Sequence, residues 1–237
     1  MYKYTWDEET GGLLLLPELS KFSKEPRPVY YKELDILGFD KYWNYPKDEH
    51  APLLWAEANN YIYKGRTIAK VTGGALYTPP GLVVLDKDPE PGGKPLEFVD
   101  VPHMCEKNRA IMEALVQETV QQVYQTYESY KSRIDVFYVA FSGGKDSVVA
   151  LDMVQRALPH EAFKVVFGDT DMEFPTTLAL INDIRDDCKE NGITFIHAKS
   201  QMRSLDSWKV FGPPSRRIRW CCTVHKTAPV INKLCEL

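Results

Sequence analysis

Asp135-Val-Phe-Tyr-Val-Ala-Phe-Ser-Gly-Gly-Lys-Asp-Ser147 is an apolar run of strand length that breaks into a polar turn with paired glycines. A run with no polar alternation suits a central parallel strand buried on both faces. Beyond the turn, Val148, Leu151, Val154 and Leu158 recur at helical spacing. A second strand is expected at Phe163-Lys-Val-Val-Phe167, ending at Gly168-Asp-Thr-Asp171, then a helix from about Pro175 to Asn191 and a third strand at Ile193-Thr-Phe-Ile-His197. Strand and helix alternate at the lengths of βαβ units, which predicts an α/β domain with a doubly wound parallel sheet. Upstream, Met112, Val116, Val120, Val123, Tyr127 and Tyr130 mark a long amphipathic helix running from about Glu106 to Tyr130.

From Met1 to about Cys105 the punctuation differs. Lys24-Glu-Pro-Arg-Pro28, Tyr77-Thr-Pro-Pro-Gly81 and Asp88-Pro-Glu-Pro-Gly-Gly-Lys-Pro95 interrupt any long helix. Between them, Tyr61 to Val71 reads as two strands around a Lys64-Gly65 turn, and Gly81 to Leu85 as another strand. This predicts a small, mostly β accessory module over residues 1–105, followed by a nucleotide-type domain over 106–237. Trp43, Tyr45 and Trp55 are expected to fill the module's core rather than form an exposed binding face.

The whole chain has 237 residues, 44% of them hydrophobic and 26% charged, the signature of a globular protein rather than a disordered one. Its mean hydropathy is -0.34. The apolar stretch Leu13 to Leu16 is too short for a signal-peptide core, and no span of about 20 apolar residues occurs. A cytoplasmic protein with no membrane partner is expected. The net charge of -4 argues against a globally basic coat for nucleic acid but permits a local basic site. Five cysteines without an export signal suggest reduced thiols, metal ligands or redox centres.

Ser142-Gly-Gly-Lys-Asp-Ser147 falls where a strand turns into a helix, beyond the carboxyl end of the sheet where open α/β folds bind ligands. Two residues without side-chain bulk let backbone N–H groups approach an anion, and the helix N-terminus adds positive potential. Lys145 supplies a point charge, Ser142 and Ser147 hydroxyls. The loop is not a Walker A motif, because no glycine stands five residues before the Gly-Lys pair.

The hexapeptide resembles the pyrophosphate loop, Ser-Gly-Gly-x-Asp-Ser, of the adenine nucleotide alpha hydrolase superfamily. Phe167-Gly-Asp-Thr-Asp-Met-Glu-Phe-Pro-Thr-Thr177 resembles the Asp-Thr-Gly-x-x-Phe-Pro-Glu-Thr segment of its phosphoadenosine phosphosulfate (PAPS) reductase branch, with Asp171 in place of glycine and Thr176 in place of glutamate. The resemblance implies a Rossmann-like sheet and an adenine nucleotide, ATP or an adenylyl sulfate, held by Ser142, Gly143, Gly144, Lys145, Asp146, Ser147, Asp169, Thr170 and Asp171. Asp169 and Asp171 at a strand end suit Mg²⁺ or the ribose and adenine edges. Asp171 and Glu173 also suit a helix cap with surface acids. Asp146 suits either orienting the loop or coordinating Mg²⁺.

A third cluster runs from Pro213 to Pro229. Between Lys199 and Lys226 stand seven Lys/Arg and one acid, Asp206, which marks an anion site in an acidic protein. Cys221-Cys222-Thr-Val-His-Lys226 with Pro229 resembles the Cys-Cys-x-x-Arg-Lys-x-x-Pro segment of adenylyl-sulfate reductases, and the Arg-Trp-Cys-Thr segment of DNA phosphorothioation enzymes of the same superfamily. In those relatives the cysteines help bind a [4Fe-4S] cluster. A cluster needs about four thiolates, so Cys221 and Cys222 would be half of a metal site completed in a longer chain. They also suit packed thiols at a helix start.

Two signals pull apart. Reductases that accept an activated sulfonucleotide have no pyrophosphate to hold, and the resemblance implies an eroded loop in them, whereas here it is intact. The first expectation is therefore an enzyme that cleaves ATP at the α–β bond and adenylates an acceptor in sulfur transfer, with Mg²⁺ bridging the phosphates and a sulfur-donor protein as partner. Lys145, Asp146 and Arg217 are the expected catalytic residues. A sulfonucleotide reductase releasing sulfite, a nucleic-acid-modifying module in which Trp and Tyr of the N-terminal region join Arg216, Arg217 and Arg219 on a strand, and a nucleotide sensor are the alternatives. Finally, the apolar period Val230, Ile231, Leu234, Leu237 runs into the terminus without a stop signal, which predicts a truncated domain.

Overall fold

The computed structural model describes residues 2–19, 25–74 and 77–237; Lys24, at the head of the first Pro-rich break, lies outside them. The chain divides into two compact units, Met1–Ala114 and Leu115–Leu237.

In the first unit, β1 (Tyr2–Asp7) and β2 (Gly12–Leu19) form an antiparallel pair. β3 (Arg27–Val29), β4 (Leu54–Glu57), β5 (Asn60–Tyr63), β6 (Arg66–Thr72) and β7 (Gly81–Val84) form a five-stranded antiparallel sheet in sequence order. The Lys64-Gly65 turn is a two-residue hairpin in which both residues have positive φ, +44° and +79°, the backbone a type I′ turn demands. Period-two alternation sends side chains to two cores. Leu54, Ala56, Tyr61 and Tyr63 face one, with Leu34 of helix α1 (Tyr31–Leu37), Phe39 and Trp43. Trp55 and Ile62 face the other, with Trp6 and Leu13. Trp43 and Trp55 are buried and Tyr45 packs against the first core, so these aromatics are core residues.

Helix α2 (Val101–Tyr130) crosses the division between the units. It begins five residues before the expected Glu106, because Asp100 accepts the backbone N–H of His103 at 3.1 Å and Pro102 sits in the first turn, where a missing N–H costs nothing. Its early turns bury Asn108, whose side chain bonds to the backbone of Leu13, Leu15 and Met104. Its late turns bring Val123 and Tyr127 against the second unit's core.

The second unit is α/β. β8 (Tyr138–Phe141), β9 (Lys164–Asp169) and β10 (Thr194–Lys199) form a parallel sheet in the order β10-β9-β8, joined by α3 (Lys145–Ala157) and α4 (Pro175–Glu190). Val139, Phe141, Val165 and Phe167 bury one face with Leu151, Val154 and Ile181 of these helices. On the opposite face, α6 (Ala228–Cys235) packs against β9 and β10. α5 (Ser204–Phe211) and a π-helical segment, Cys222–Thr227, intervene after β10. One expectation is corrected: β9, not the Asp135–Phe141 run, is the central strand, and β8 has only one buried face, with Tyr138 and Ala140 exposed. Three residues of that run precede β8, which is why an apolar stretch of full strand length pairs over only four residues.

Candidate nucleotide site

Ser142 to Ser147 links β8 to α3 at the carboxyl edge of the sheet. Gly143 has φ +75°, and a Cβ there would lie 2.9 Å from Thr177 Cγ2. Both facts demand glycine. Gly144 is the extended N-cap of α3 and offers no side chain to its first turn. Ser147 Oγ accepts the Ser142 N–H at 3.3 Å and donates to the Gly144 carbonyl at 2.8 Å. The loop is thereby closed on itself with the α3 dipole behind it, a geometry suited to an anion. Lys145 and Asp146 project into solvent, 91% and 90% exposed, and pair with each other at 2.9 Å.

Beside the loop lies a cavity of about 680 Å³. Ala140, Val166 and Gly168 form its floor, and Ser142 and Thr170 mark its edge toward the strand ends. Lys226 and Val230 contribute a wall. The helix approaches the sheet closely here, since a Cβ at Gly168 would meet Val230 Cγ2 at 3.3 Å. Thr170 Oγ1 donates to Glu173 Oε1 at 2.7 Å, and Glu173 also lines the space.

At the ends of β9 and β10, parallel register sets Lys199 opposite Asp169. Lys199 Nζ lies 3.1 Å from Asp169 and 2.9 Å from Asp171, and His197 Nε2 lies 2.9 Å from Asp169. Burial opposes ionisation of Asp169, but the Asp171 N–H, Lys199 and His197 outweigh it and hold its carboxyl below the usual range. Asp171 is lowered to about 2, chiefly by Lys199 and then by the Ser204 N–H. With φ +63°, Asp171 occupies the left-handed backbone that glycine favours, held there by its side-chain contacts. Both carboxylates are thus engaged by Lys199.

Among the described residues no group of three or more His, Cys, Asp or Glu converges to hold a metal. Cys221 is half-buried and Cys222 exposed, while Cys188 is buried with its thiol pushed up to about 11 by burial. Among the described residues they do not converge with other thiols into a set of three or more. Arg216, Arg217 and Arg219 lie on an exposed loop before the π-helix, and Arg217 is not among the cavity's lining residues. The cation that does line the cavity is Lys226. Sequence reasoning ranked neither Lys226 nor Lys199, although both bound the basic segment; their roles depend on how α6 and β10 meet β9. Nor did it find His225, fully buried in the π-helix with Nε2 2.9 Å from Ser207 Oγ.

A parallel sheet with a glycine-paired loop at its carboxyl edge and a cavity over the adjacent strands defines a Rossmann-like α/β class, whose ligands bind beyond the carboxyl ends of the strands. Residues 136–237 match the family model described as the phosphoadenosine phosphosulfate reductase domain. This part of the chain is similar to that family, a member of the adenine nucleotide alpha hydrolase superfamily. Two uncharacterized proteins of Methanocaldococcus jannaschii are similar. One is 33% identical over 130 residues, 54% of this chain and 25% of the relative. The other is 26% identical over 140 residues, 58% of this chain and 32% of the relative. The chain thus spans a quarter to a third of the length of these relatives. No helix among the described residues is long and apolar enough to cross a membrane.

Proposed function

We propose that the second unit binds ATP, seats its pyrophosphate portion in the Ser142–Ser147 loop and catalyses its cleavage between the α and β phosphates. The observation that carries this reading is the closed loop itself: left-handed Gly143, side-chain-free Gly144 at the N-cap of α3, and Ser147 tying the turn together. The nucleoside is assigned to the cavity over Ala140, Val166 and Gly168, with Lys226 beside an anionic group. An acceptor nucleophile forms a bond to the α phosphorus as the bond to the bridging oxygen breaks. The electron pair leaves on pyrophosphate, where the loop N–H groups and Lys145 stabilise the developing charge. The nucleotide enters as its Mg²⁺ complex, and the acceptor, on this reading, is a component of sulfur transfer delivered by a donor protein.

A second reading, reduction of PAPS or adenylyl sulfate to sulfite, draws on the family match and on the Cys221 to Pro229 segment. One experiment separates them. The protein is incubated with Mg-ATP, and separately with PAPS and a dithiol reductant, while pyrophosphate and sulfite are followed. ATP-dependent pyrophosphate without sulfite is expected; sulfite without pyrophosphate reverses the order.

A further inference from the structure

The loop between α5 and the π-helix is folded, exposed and basic. Its base is closed where Trp220 Nε1 donates to the Gly212 carbonyl at 3.1 Å, with the Trp220 ring against Phe211 at 5.4 Å between centroids. Its tip is closed by Ser215 and Ile218, joined by two hydrogen bonds of 3.0 and 3.1 Å. Arg216, Arg217 and Arg219 are therefore presented on a short tied turn, not on a free coil, with Ile218 65% exposed among them. At the foot of the loop, α5 offers Trp208, 41% exposed, and Phe211, 51% exposed.

The charge of this segment is unbalanced in a specific way. Lys199 is consumed by Asp169 and Asp171, and Lys209 pairs with Asp206, the lone acid of the segment. Among the described residues no ion pair engages Arg203, Arg216, Arg217 or Arg219. Apart from Lys226 of the cavity wall, the uncompensated cations are arginines, whose planar guanidinium matches phosphate oxygens in pairs and stacks on flat rings. The loop that carries Arg216, Arg217 and Arg219 follows directly on α5 with its exposed Trp208 and Phe211, and arginines with exposed aromatics are the combination that binds unpaired nucleotides without sequence preference.

We infer that α5 and the Gly212–Trp220 loop form a binding surface for single-stranded nucleic acid, with Arg216, Arg217 and Arg219 on phosphates and Trp208 stacking on a base. The inference goes beyond ATP cleavage and does not depend on it, because the binding is measured without nucleotide.

The test uses the full chain and fluorescein-labelled 20-nucleotide DNA and RNA single strands, followed by anisotropy from 50 to 200 mM NaCl. Saturable, salt-sensitive binding is expected. Replacing the three arginines (Arg216→Gln, Arg217→Gln, Arg219→Gln) should weaken it at least ten-fold at 50 mM NaCl and flatten the log–log salt slope by about 2, close to three phosphate contacts at ~0.7 each. Trp208→Ala should weaken it about five-fold or more, the lower end for one stacked base. Unchanged thermal unfolding of both variants shows that the fold is kept. Preference for either oligonucleotide, or for neither, is consistent with the surface. The inference fails if neither strand binds at 50 mM NaCl, or if either variant binds like the parent. It also fails if phosphatidylglycerol vesicles or poly-glutamate displace the strands at equal charge concentration.

Discussion

Gly143 turns through φ +75° with Thr177 and Ile181 pressed against the place a side chain would occupy. Adding a methyl group costs about 1–2 kcal/mol in backbone conformation alone, and crowding against Thr177 adds to it. Gly143→Ala should therefore lower the second unit's stability by about 2 kcal/mol and weaken ATP binding at least ten-fold. Urea unfolding and calorimetric titration check the two effects, and an unchanged unfolding midpoint would count against the reading. Asp171 permits a pH prediction. Its carboxyl is depressed in the folded chain to about 2 from an ordinary 3.8. The ionised form's stabilisation is complete above the ordinary value and is lost as pH falls through the folded one. Stability of the second unit should thus decline between about pH 4 and pH 2, and Asp171→Asn should make that decline shallower in urea midpoints measured across the range; parallel curves would refute it. Asp169 and Asp171 were visible in the sequence as acids at a strand end. Their partner was not, because only the β9–β10 register brings Lys199 opposite Asp169.

Helix α3 shows what an element adds to its residues. Its first turn has no side-chain cap, so its N–H groups and dipole face the loop instead of a serine or aspartate of its own. Lys145, on that first turn, is almost wholly exposed and contributes little to packing. Lys145→Ala should leave the melting temperature within a degree while weakening ATP binding about 10- to 100-fold, as expected for losing one hydrogen bond between charged groups at about 1.5–3 kcal/mol. Equal affinity in a binding titration would remove Lys145 from the site. The strand–loop–helix order around this lysine could be read from apolar runs and paired glycines alone. The start of α2 was missed because Asp100 and Pro102 act as cap and first-turn residue, while the apolar period begins only later. The π-helix at Cys222–Thr227 carries no composition signal, being a choice of backbone hydrogen bonding rather than of residue type.

Across the whole molecule the apolar residues form separate cores, two in the first unit and one in the second. Leu54 is fully buried in the first. Leu54→Ala should cost that unit about 2–5 kcal/mol. Hydrogen exchange should then accelerate in peptides from residues 25–74 while ATP affinity is retained; a matching loss of affinity would show that the second unit depends on the first. The change from Pro- and Gly-punctuated sequence to βαβ grammar made two kinds of architecture legible. Which strand lies at the centre was not, because β8 is apolar enough to read as central while α2 and α6 leave part of it uncovered. The floor over Ala140 and Gly168 has a further consequence. That space exists because two sheet positions carry almost no side chain where a helix comes close, so the cavity is a mould written in atoms left out. Its capacity can be changed by single substitutions that alter no polar side chain: a methyl at Gly168 presses on Val230 and reaches Lys226, whereas added bulk at exposed Ala140 only shortens the bed.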